Sequence, residues 1–245
     1  NFRMTKETFF FIVRRYGHLF QRDVTHLRRT IGPAKRFAIT LYYLAQGETY
    51  SEIAALFHVG RSTVGEIVHE TVSSLACRVS SDSIIFPIGR QLERTMRRFE
   101  QLCGLPMCCG AVDGTFVKIV KPDLYGDRYW CYKGYPAVIL FACVDSRGLF
   151  TFVDVGAAGS IGEAAVYNNP VLKKNIDNGA WLNYRHWQVD QTTIRPFIIG
   201  DSAFAQCPRL SCESSLTTEI SRPSKKHSTT PRFAPGELWS VLSEG

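Results

Sequence analysis

Two aspartates stand beside apolar runs, where carboxylates are uncommon. Asp113 lies within the run Gly110-Ala111-Val112-Asp113-Gly114-Thr115, and Asp201 follows the short apolar run 197–199 after Gly200. An unpaired carboxylate in a buried strand is costly, so such a residue is usually paired or binds a metal ion. Two carboxylates on neighbouring strands can share Mg²⁺, which prefers hard oxygen ligands. An ion held in this way activates water and stabilises the oxygens of a phosphoryl displacement.

The same residues also have a structural interpretation, because Asp beside Gly is common in turns. Spacing alone leaves both interpretations open. Other catalytic chemistries find less support. Ser202 lacks the G-x-S-x-G pattern of a nucleophile elbow, and the segment 156–159 lacks the third glycine of a dinucleotide-binding loop. A small-molecule α/β enzyme is therefore disfavoured.

The elements that would position these aspartates begin after residue 105, where β-branched and aromatic runs end at Gly or Asp. The expected elements are strands at 109–120, 138–145, 149–155 and 197–199, a hairpin turn at 145–148, a helix at 163–174 and an irregular stretch at 175–195. Hairpin-ordered strands followed by a helix and another buried strand predict an α/β domain over residues 105–245.

Residues 1–104 predict a helical domain, because apolar residues recur three and four positions apart. The expected buried positions are Phe9, Phe10, Ile12, Val13, Tyr16 and Leu19 in a first helix, and Phe37, Leu41 and Leu44 in a second helix, 35–46, ending at Gly47. Within residues 48–72, Ser51 is expected to cap a short helix at 52–57. A turn at 58–60 then leads into a helix starting at Ser62 or Thr63 and running toward Thr71.

Two helices around this turn match a helix-turn-helix, in which Ala54, Val59, Ile53 and Val64 share a small core. The second helix would then offer DNA four residues near its start: Arg61, Ser62, Thr63 and Glu66. Glu66 would accept from a cytosine amino group or point away. A plain helical hairpin is the alternative. A further helix at 90–103 carries four arginines, which form either a solvated face or a stripe that binds a phosphate backbone.

Composition describes an ordinary globular chain of 245 residues with 45% hydrophobic and 21% charged residues. The net charge of +7 lies mostly in residues 1–110, which carry +6, so a polyanionic partner is expected for the front half. No apolar run is long enough to cross a membrane, and no membrane partner is expected. The eight cysteines include no C-x-x-C pair, so they are interpreted as reduced core thiols of an intracellular protein.

Four ordered motifs carry a resemblance to a known family. They are Ala111-Val112-Asp113-Gly114-Thr115, Tyr132-Lys133-Gly134, GAAGSIGEAAVY at 156–167, and Ile199-Gly200-Asp201-Ser202-Ala203-Phe204. Together they resemble the Harbinger-type DDE transposases and the domesticated nucleases derived from them, over roughly residues 5–210. The resemblance implies a ribonuclease H-like domain, with Asp113 and Asp201 as the first two acidic metal ligands. Glu163 stands where the family usually has an Asp ligand.

The resemblance further implies a nuclease that cuts or joins DNA phosphodiester bonds with Mg²⁺ or Mn²⁺. It also implies a nuclear location, with the cytoplasm as a second possibility, and a separate Myb-like DNA-binding partner. The chain departs from the family after about residue 211, where it becomes rich in Ser, Thr and Pro. Beyond this run, which ends at Pro235, only Glu237 and Glu244 are candidates for the third carboxylate, and the domain is expected to be truncated at its C-terminus. A catalytically lapsed DNA-binding or scaffold protein is therefore the alternative function.

Overall fold

The computed structural model describes residues 2–22, 30–162, 166, 187–189, 192–200 and 210–212. Asp201, Glu163, Glu237, Glu244 and the rest of the atypical tail lie outside these residues, as does the expected helix at 163–174 apart from Val166, which is helical. The chain divides into two compact units, 1–83 and 84–245. This division precedes the boundary expected at 104/105, because the intervening helix packs on the sheet of the second unit.

The first unit is helical. Its helices are α1 (Lys6–Tyr16), α2 (Pro33–Gln46), α3 (Tyr50–Phe57), α4 (Arg61–Ser74) and, after a π-helical turn at Leu75–Val79, the short α5 (Ser80–Ser83). Helix α2 ends at Gly47 in the left-handed conformation (φ 71°), as expected. Tyr16, Phe20 and Phe37 form a buried aromatic cluster. Phe10 and Leu44, expected to be buried, are 44% and 57% exposed, because the apolar stripe of each helix is wider than the face that packs.

Helices α3 and α4 form the expected helix-turn-helix around a small core. Ile53, Val64 and Ile67 are fully buried, with Ala54 and Val59 packed against them. His58, in the left-handed conformation (φ 51°), ends α3, and Gly60 precedes the first residue of α4. The turn at 58–60 is therefore confirmed, and α4 begins at Arg61, before the expected start at Ser62 or Thr63.

The cap of α3 is Thr49, and the expectation of Ser51 was wrong. The Thr49 hydroxyl accepts from the backbone N–H of Glu52 at 3.4 Å, and the Glu52 carboxylate accepts from the backbone N–H of Thr49 at 2.9 Å. This reciprocal pair satisfies two N–H groups at the helix start. Ser51 is the second residue of the helix itself.

The role of Thr49 as the cap of α3 can be tested by substitution. We expect Thr49→Ala to lower the free energy of unfolding by about 1 kcal/mol, because it leaves an N–H of the first turn without its acceptor. Ser51→Ala, two residues away, should change it by less than about 0.5 kcal/mol. Urea unfolding followed by circular dichroism measures both. An equal loss in the two variants would contradict the assignment of the cap.

The second unit contains a mixed five-stranded sheet. Its strands are β1 (Cys108–Lys118), β2 (Ala137–Val144), β3 (Phe150–Ala158), β6 (Phe197–Gly200) and β7 (Leu210–Cys212), and their spatial order is β3-β2-β1-β6-β7. Two further strands, β4 (Trp187–Val189) and β5 (Thr192–Ile194), form a separate antiparallel pair. The first three strands are antiparallel, whereas β6 runs parallel to both β1 and β7. This is the ribonuclease H-like α/β arrangement that was expected. The expectation of an irregular stretch at 175–195 was wrong where β4 and β5 pair, because alternation in three-residue strands is too short to detect.

Helix α6 (Arg90–Cys103) packs on this sheet. Leu92 and Met96 contribute to one buried cluster with residues of β1 and β2, and Phe99 and Cys103 contribute to a second cluster with Ala111. Only residues 104–107 connect α6 to β1, so the helix runs back along the strand. Within the described part of the chain, no helix is long and apolar enough to cross a membrane.

The buried cysteines behave as core residues. Cys103, Cys108, Cys109, Cys131 and Cys143 are all free and buried. Burial raises the pKa of the Cys143 thiol to about 12 and raises that of Cys109 further. These thiols therefore remain protonated at neutral pH and are poor metal ligands. The interpretation as core thiols is confirmed for these five cysteines, but it was wrong for Cys77, which is exposed.

Candidate functional site

Asp113 lies on β1, the central strand of the sheet. It pairs with Ala142 of β2 and is half-buried, at the point where the strand changes from buried (residues 108–112) to exposed at Thr115. Its Oδ1 atom accepts a hydrogen bond from the backbone N–H of Gly114 at 2.8 Å. The sequence predicted a carboxylate in the middle of a buried run. This prediction was wrong, because Asp113 follows the buried residues 108–112 and is itself only half-buried.

The neighbouring strand β6 leads toward the second aspartate. Ala111 of β1 pairs with Ile199 of β6, and the two strands are parallel. Asp113 is two residues beyond Ala111 in the chain, and Asp201 is two residues beyond Ile199. Asp201 itself lies outside the described residues, so the structure places Asp113 alone among the expected metal ligands.

The donor chemistry of Asp113 fits a divalent ion. A half-buried carboxylate on the central strand supplies the hard oxygen atoms that Mg²⁺ and Mn²⁺ prefer. Among the residues that the structure describes, no three His, Cys, Asp or Glu side chains lie close enough to hold a metal together. A metal ion at Asp113 would therefore need further ligands from residues outside the described part of the chain.

Asp145, which follows β2 directly, is a buried carboxylate with a structural role. It is only 4% exposed. Its oxygens accept from the backbone N–H groups of Arg147 at 2.8 Å and Leu149 at 3.1 Å, and from the Arg147 guanidinium at 2.9–3.0 Å. All these partners belong to its own β2–β3 turn, which confirms the hairpin expected at 145–148. Its hydrogen bonds account for its burial without a metal ion.

The four residues expected to contact DNA lie on the first turns of α4. Arg61 and Ser62 are exposed, and Thr63 is half-buried. Glu66 is exposed, but its carboxylate accepts from the guanidinium of Arg22 at 3.2 Å. The Glu66 carboxylate, which was expected to accept from a cytosine amino group or to point away, is thus already paired with Arg22. The geometry therefore favours Arg61 and Ser62 as the available polar groups of this surface.

Sequence reasoning did not predict the ion network that Arg22 and Arg36 form with two glutamates of α4. Arg22 also donates to Glu70, through Nε at 3.1 Å, and the buried guanidinium of Arg36 donates to the same carboxylate. The hydrogen bond from Arg22 is the main cause that holds the pKa of Glu70 below its usual value. Each arginine lies more than thirty positions from Glu70 along the chain. Only the spacing of Glu66 and Glu70, four residues apart on one helix face, hinted at a shared partner.

Glu70→Gln should destabilise the helical unit in a pH-dependent way. The pKa of Glu70 is lowered on folding, so its contribution is present above the ordinary glutamate pKa of about 4.5 and is lost as the pH falls through the folded value. We expect a loss of about 1 kcal/mol at pH 7, reduced because the side chain is partly exposed, and a shrinking difference below pH ~4.5. Thermal unfolding between pH 3 and 7 measures it.

Glu66→Gln is the matched control for this prediction, because Glu66 lies one turn away and contacts Arg22 but not the buried Arg36. We expect it to cost less than about 0.5 kcal/mol. A difference between Glu70→Gln and the unmodified chain that stayed constant across this pH range would contradict the assigned role of the carboxylate.

Comparisons with known proteins agree with this architecture. A family model described as the helix-turn-helix of DDE superfamily endonuclease matches residues 30–81, and a second described as DDE superfamily endonuclease matches residues 112–233. The chain is 31% identical over 179 residues to Protein ALP1-like of Arabidopsis thaliana and 27% identical over 185 residues to Antagonist of Like Heterochromatin Protein 1 of the same plant. These alignments cover 71% and 74% of this chain, and 43% and 46% of the relatives.

A third relative is the Rattus norvegicus protein HARBI1, which its name describes as a candidate nuclease. It is 23% identical over 182 residues, covering 72% of this chain and 52% of HARBI1. The chain thus spans about half the length of the curated relatives it matches. A crystal structure of the Mos1 mariner paired end complex with Mn gives a TM-score of 0.21 at 12% identity over 97% of this chain and 78% of that one, which is too low to define a shared fold.

The two family models and the plant and animal relatives together define the class. This chain belongs to the Harbinger-type, transposase-derived DDE endonuclease family. The resemblance drawn from its four motifs is confirmed, and so is the helix-turn-helix ahead of the mixed-sheet domain.

Proposed function

We propose that this chain is a divalent-metal-dependent nuclease that hydrolyses DNA phosphodiester bonds, with Asp113 as a metal-binding catalytic carboxylate. The observation that carries the proposal is the register of β1 and β6. The pairing of Ala111 with Ile199 is parallel, and each strand reaches an aspartate two residues later in the sequence. Carboxylates that follow equivalent positions of adjacent parallel strands belong at the same edge of a sheet.

The proposed ligands are Asp113 and Asp201, with Glu163 as an additional carboxylate. A bound Mg²⁺ or Mn²⁺ would supply an activated water and charge stabilisation for the phosphate oxygens. Asp113 is suited to hold such an ion in one position, since β1 is paired on both sides and its buried half packs against α6. The backbone N–H of Gly114 orients the carboxylate through its bond to Oδ1.

Asp113→Asn should abolish nicking of supercoiled plasmid in Mn²⁺, because the amide is neutral and is a poor ligand for a hard cation. We expect a loss of at least about 100-fold, and the same for Asp201→Asn. Asp127→Asn makes the identical chemical change at a fully exposed site paired with Lys121, and it should leave nicking unchanged. Nicking that survives Asp113→Asn in a folded chain would contradict the proposed role of Asp113.

The helix-turn-helix supports DNA as the partner of the first unit. Arg61 and Ser62 are exposed at the start of α4, where a helix-turn-helix presents side chains to the major groove. The excess positive charge of residues 1–110 agrees with a polyanionic ligand. We propose that α4 is the recognition helix of this chain.

Arg61→Ala should weaken binding to duplex DNA by about tenfold, because it removes a guanidinium from the proposed groove-facing turn. Lys6→Ala removes an exposed cation from α1 of the same unit and should have a smaller effect. Fluorescence anisotropy at fixed salt measures both. Equal losses in the two variants would show that α4 contributes only its charge and does not act as a recognition helix.

A catalytically lapsed DNA-binding or scaffold protein is the second candidate. The third family carboxylate, which is not identified in the sequence after residue 211, favours it. The expected departure from the family at about residue 211 was too early, because the DDE superfamily endonuclease match continues to residue 233. Tight DNA binding without metal-dependent nicking would select this candidate. A nuclear location, with the cytoplasm as a second possibility, and a Myb-like DNA-binding partner remain proposals that rest on family membership.

A further inference from the structure

Helix α6 lies between the two segments that the family comparisons cover. It spans Arg90–Cys103, whereas the matched segments are residues 30–81 and 112–233. Neither family model therefore assigns this helix a role. It belongs to the second compact unit, which begins at residue 84.

Four arginines form a stripe along the outer face of α6. Arg90, Arg94, Arg97 and Arg98 follow the i, i+4, i+7, i+8 spacing of one helix face, and all four are exposed. The opposite face is fixed in place, since Leu92 and Phe99 are fully buried. The stripe is therefore carried by a helix anchored to the sheet, which limits the backbone ordering that a ligand would have to cause.

The charges of this stripe are not neutralised within the described residues. None of the salt bridges found there involves these four arginines, although Glu93 and Glu100 lie on the same helix. The helix-turn-helix unit shows the opposite case, because Arg22 and Arg36 are both engaged by carboxylates of α4. Four exposed guanidinium groups on one anchored helix repel one another in the free protein, and a bound polyanion relieves that repulsion.

We propose that the α6 arginine stripe binds the phosphate backbone of duplex DNA, as a second DNA contact separate from the recognition helix. The positions from Arg90 to Arg98 span about 12 Å along the helix, which is the axial length of about three to four phosphates of one strand. Guanidinium groups suit this ligand because their paired N–H donors match phosphate oxygens. This inference rests on the proposed binding of DNA but does not require hydrolysis. A failure to nick DNA would therefore not contradict it.

The test measures the salt dependence of DNA binding in EDTA, with no metal present. The full chain is titrated against a labelled 30-base-pair duplex at several KCl concentrations. Replacing all four stripe arginines by Gln should make the slope of log K against log salt shallower by about 3.6, since each phosphate contact contributes about 0.9. The double variants Arg90→Gln/Arg94→Gln and Arg97→Gln/Arg98→Gln should each account for about half, and they serve if the quadruple variant folds poorly.

Three controls separate contact from general charge. Gln101→Ala changes a neutral side chain on the same helix face and should leave the slope unchanged. Lys121→Gln removes a cation of the same unit that Asp127 already pairs, and it should change the slope by less than a single stripe arginine. Replacing the four arginines by Lys should preserve most of the slope. An unchanged slope in a folded quadruple Gln variant, or a loss no larger than that of Lys121→Gln per charge removed, would overturn the proposal.

Discussion

The two-sided pairing of β1 is the constraint on which the second unit depends. The strand hydrogen-bonds antiparallel to β2 on one side and parallel to β6 on the other. Gly110 is required where β6 joins, because a Cβ there would lie 2.7 Å from Cys143 Sγ. With both neighbours in place, the strand directions and the register are set together. Asp113 is then held by a strand that pairs with Ala142 of β2 at this position and with β6 up to Ala111, and not by a flexible loop.

The same strand also sets the position of α6. The short connection at 104–107 turns the helix back over the sheet, and its apolar face contributes to both buried clusters of the unit. Burial of that face leaves the arginine face outward, as the geometry of a helix requires. The position of Asp113 and the outward orientation of the basic stripe are thus two consequences of one packing arrangement in the second unit.

The two units use their positive charge differently, which the net charge alone does not reveal. In the helical unit, Arg22 and Arg36 pair with Glu66 and Glu70, and the Arg36 side chain is buried. In the second unit, the α6 arginines form no described ion pair. The charge excess counted from residues 1–110 therefore belongs partly to the second unit, because α6 contributes four arginines against Glu93 and Glu100.

The sequence by itself determined what local physics controls. Periodicity predicted α6, α2 and its glycine end, and alternation with turn residues predicted β1, β2, β3 and the hairpin at Asp145. Motif order predicted the family. Tertiary structure decided what depends on distant partners: Thr49 instead of Ser51 at the helix start, the exposure of Phe10, the engagement of Glu66 by Arg22, and the strand pair β4–β5. In each case competing local choices are close in energy, and contacts made only after folding select between them.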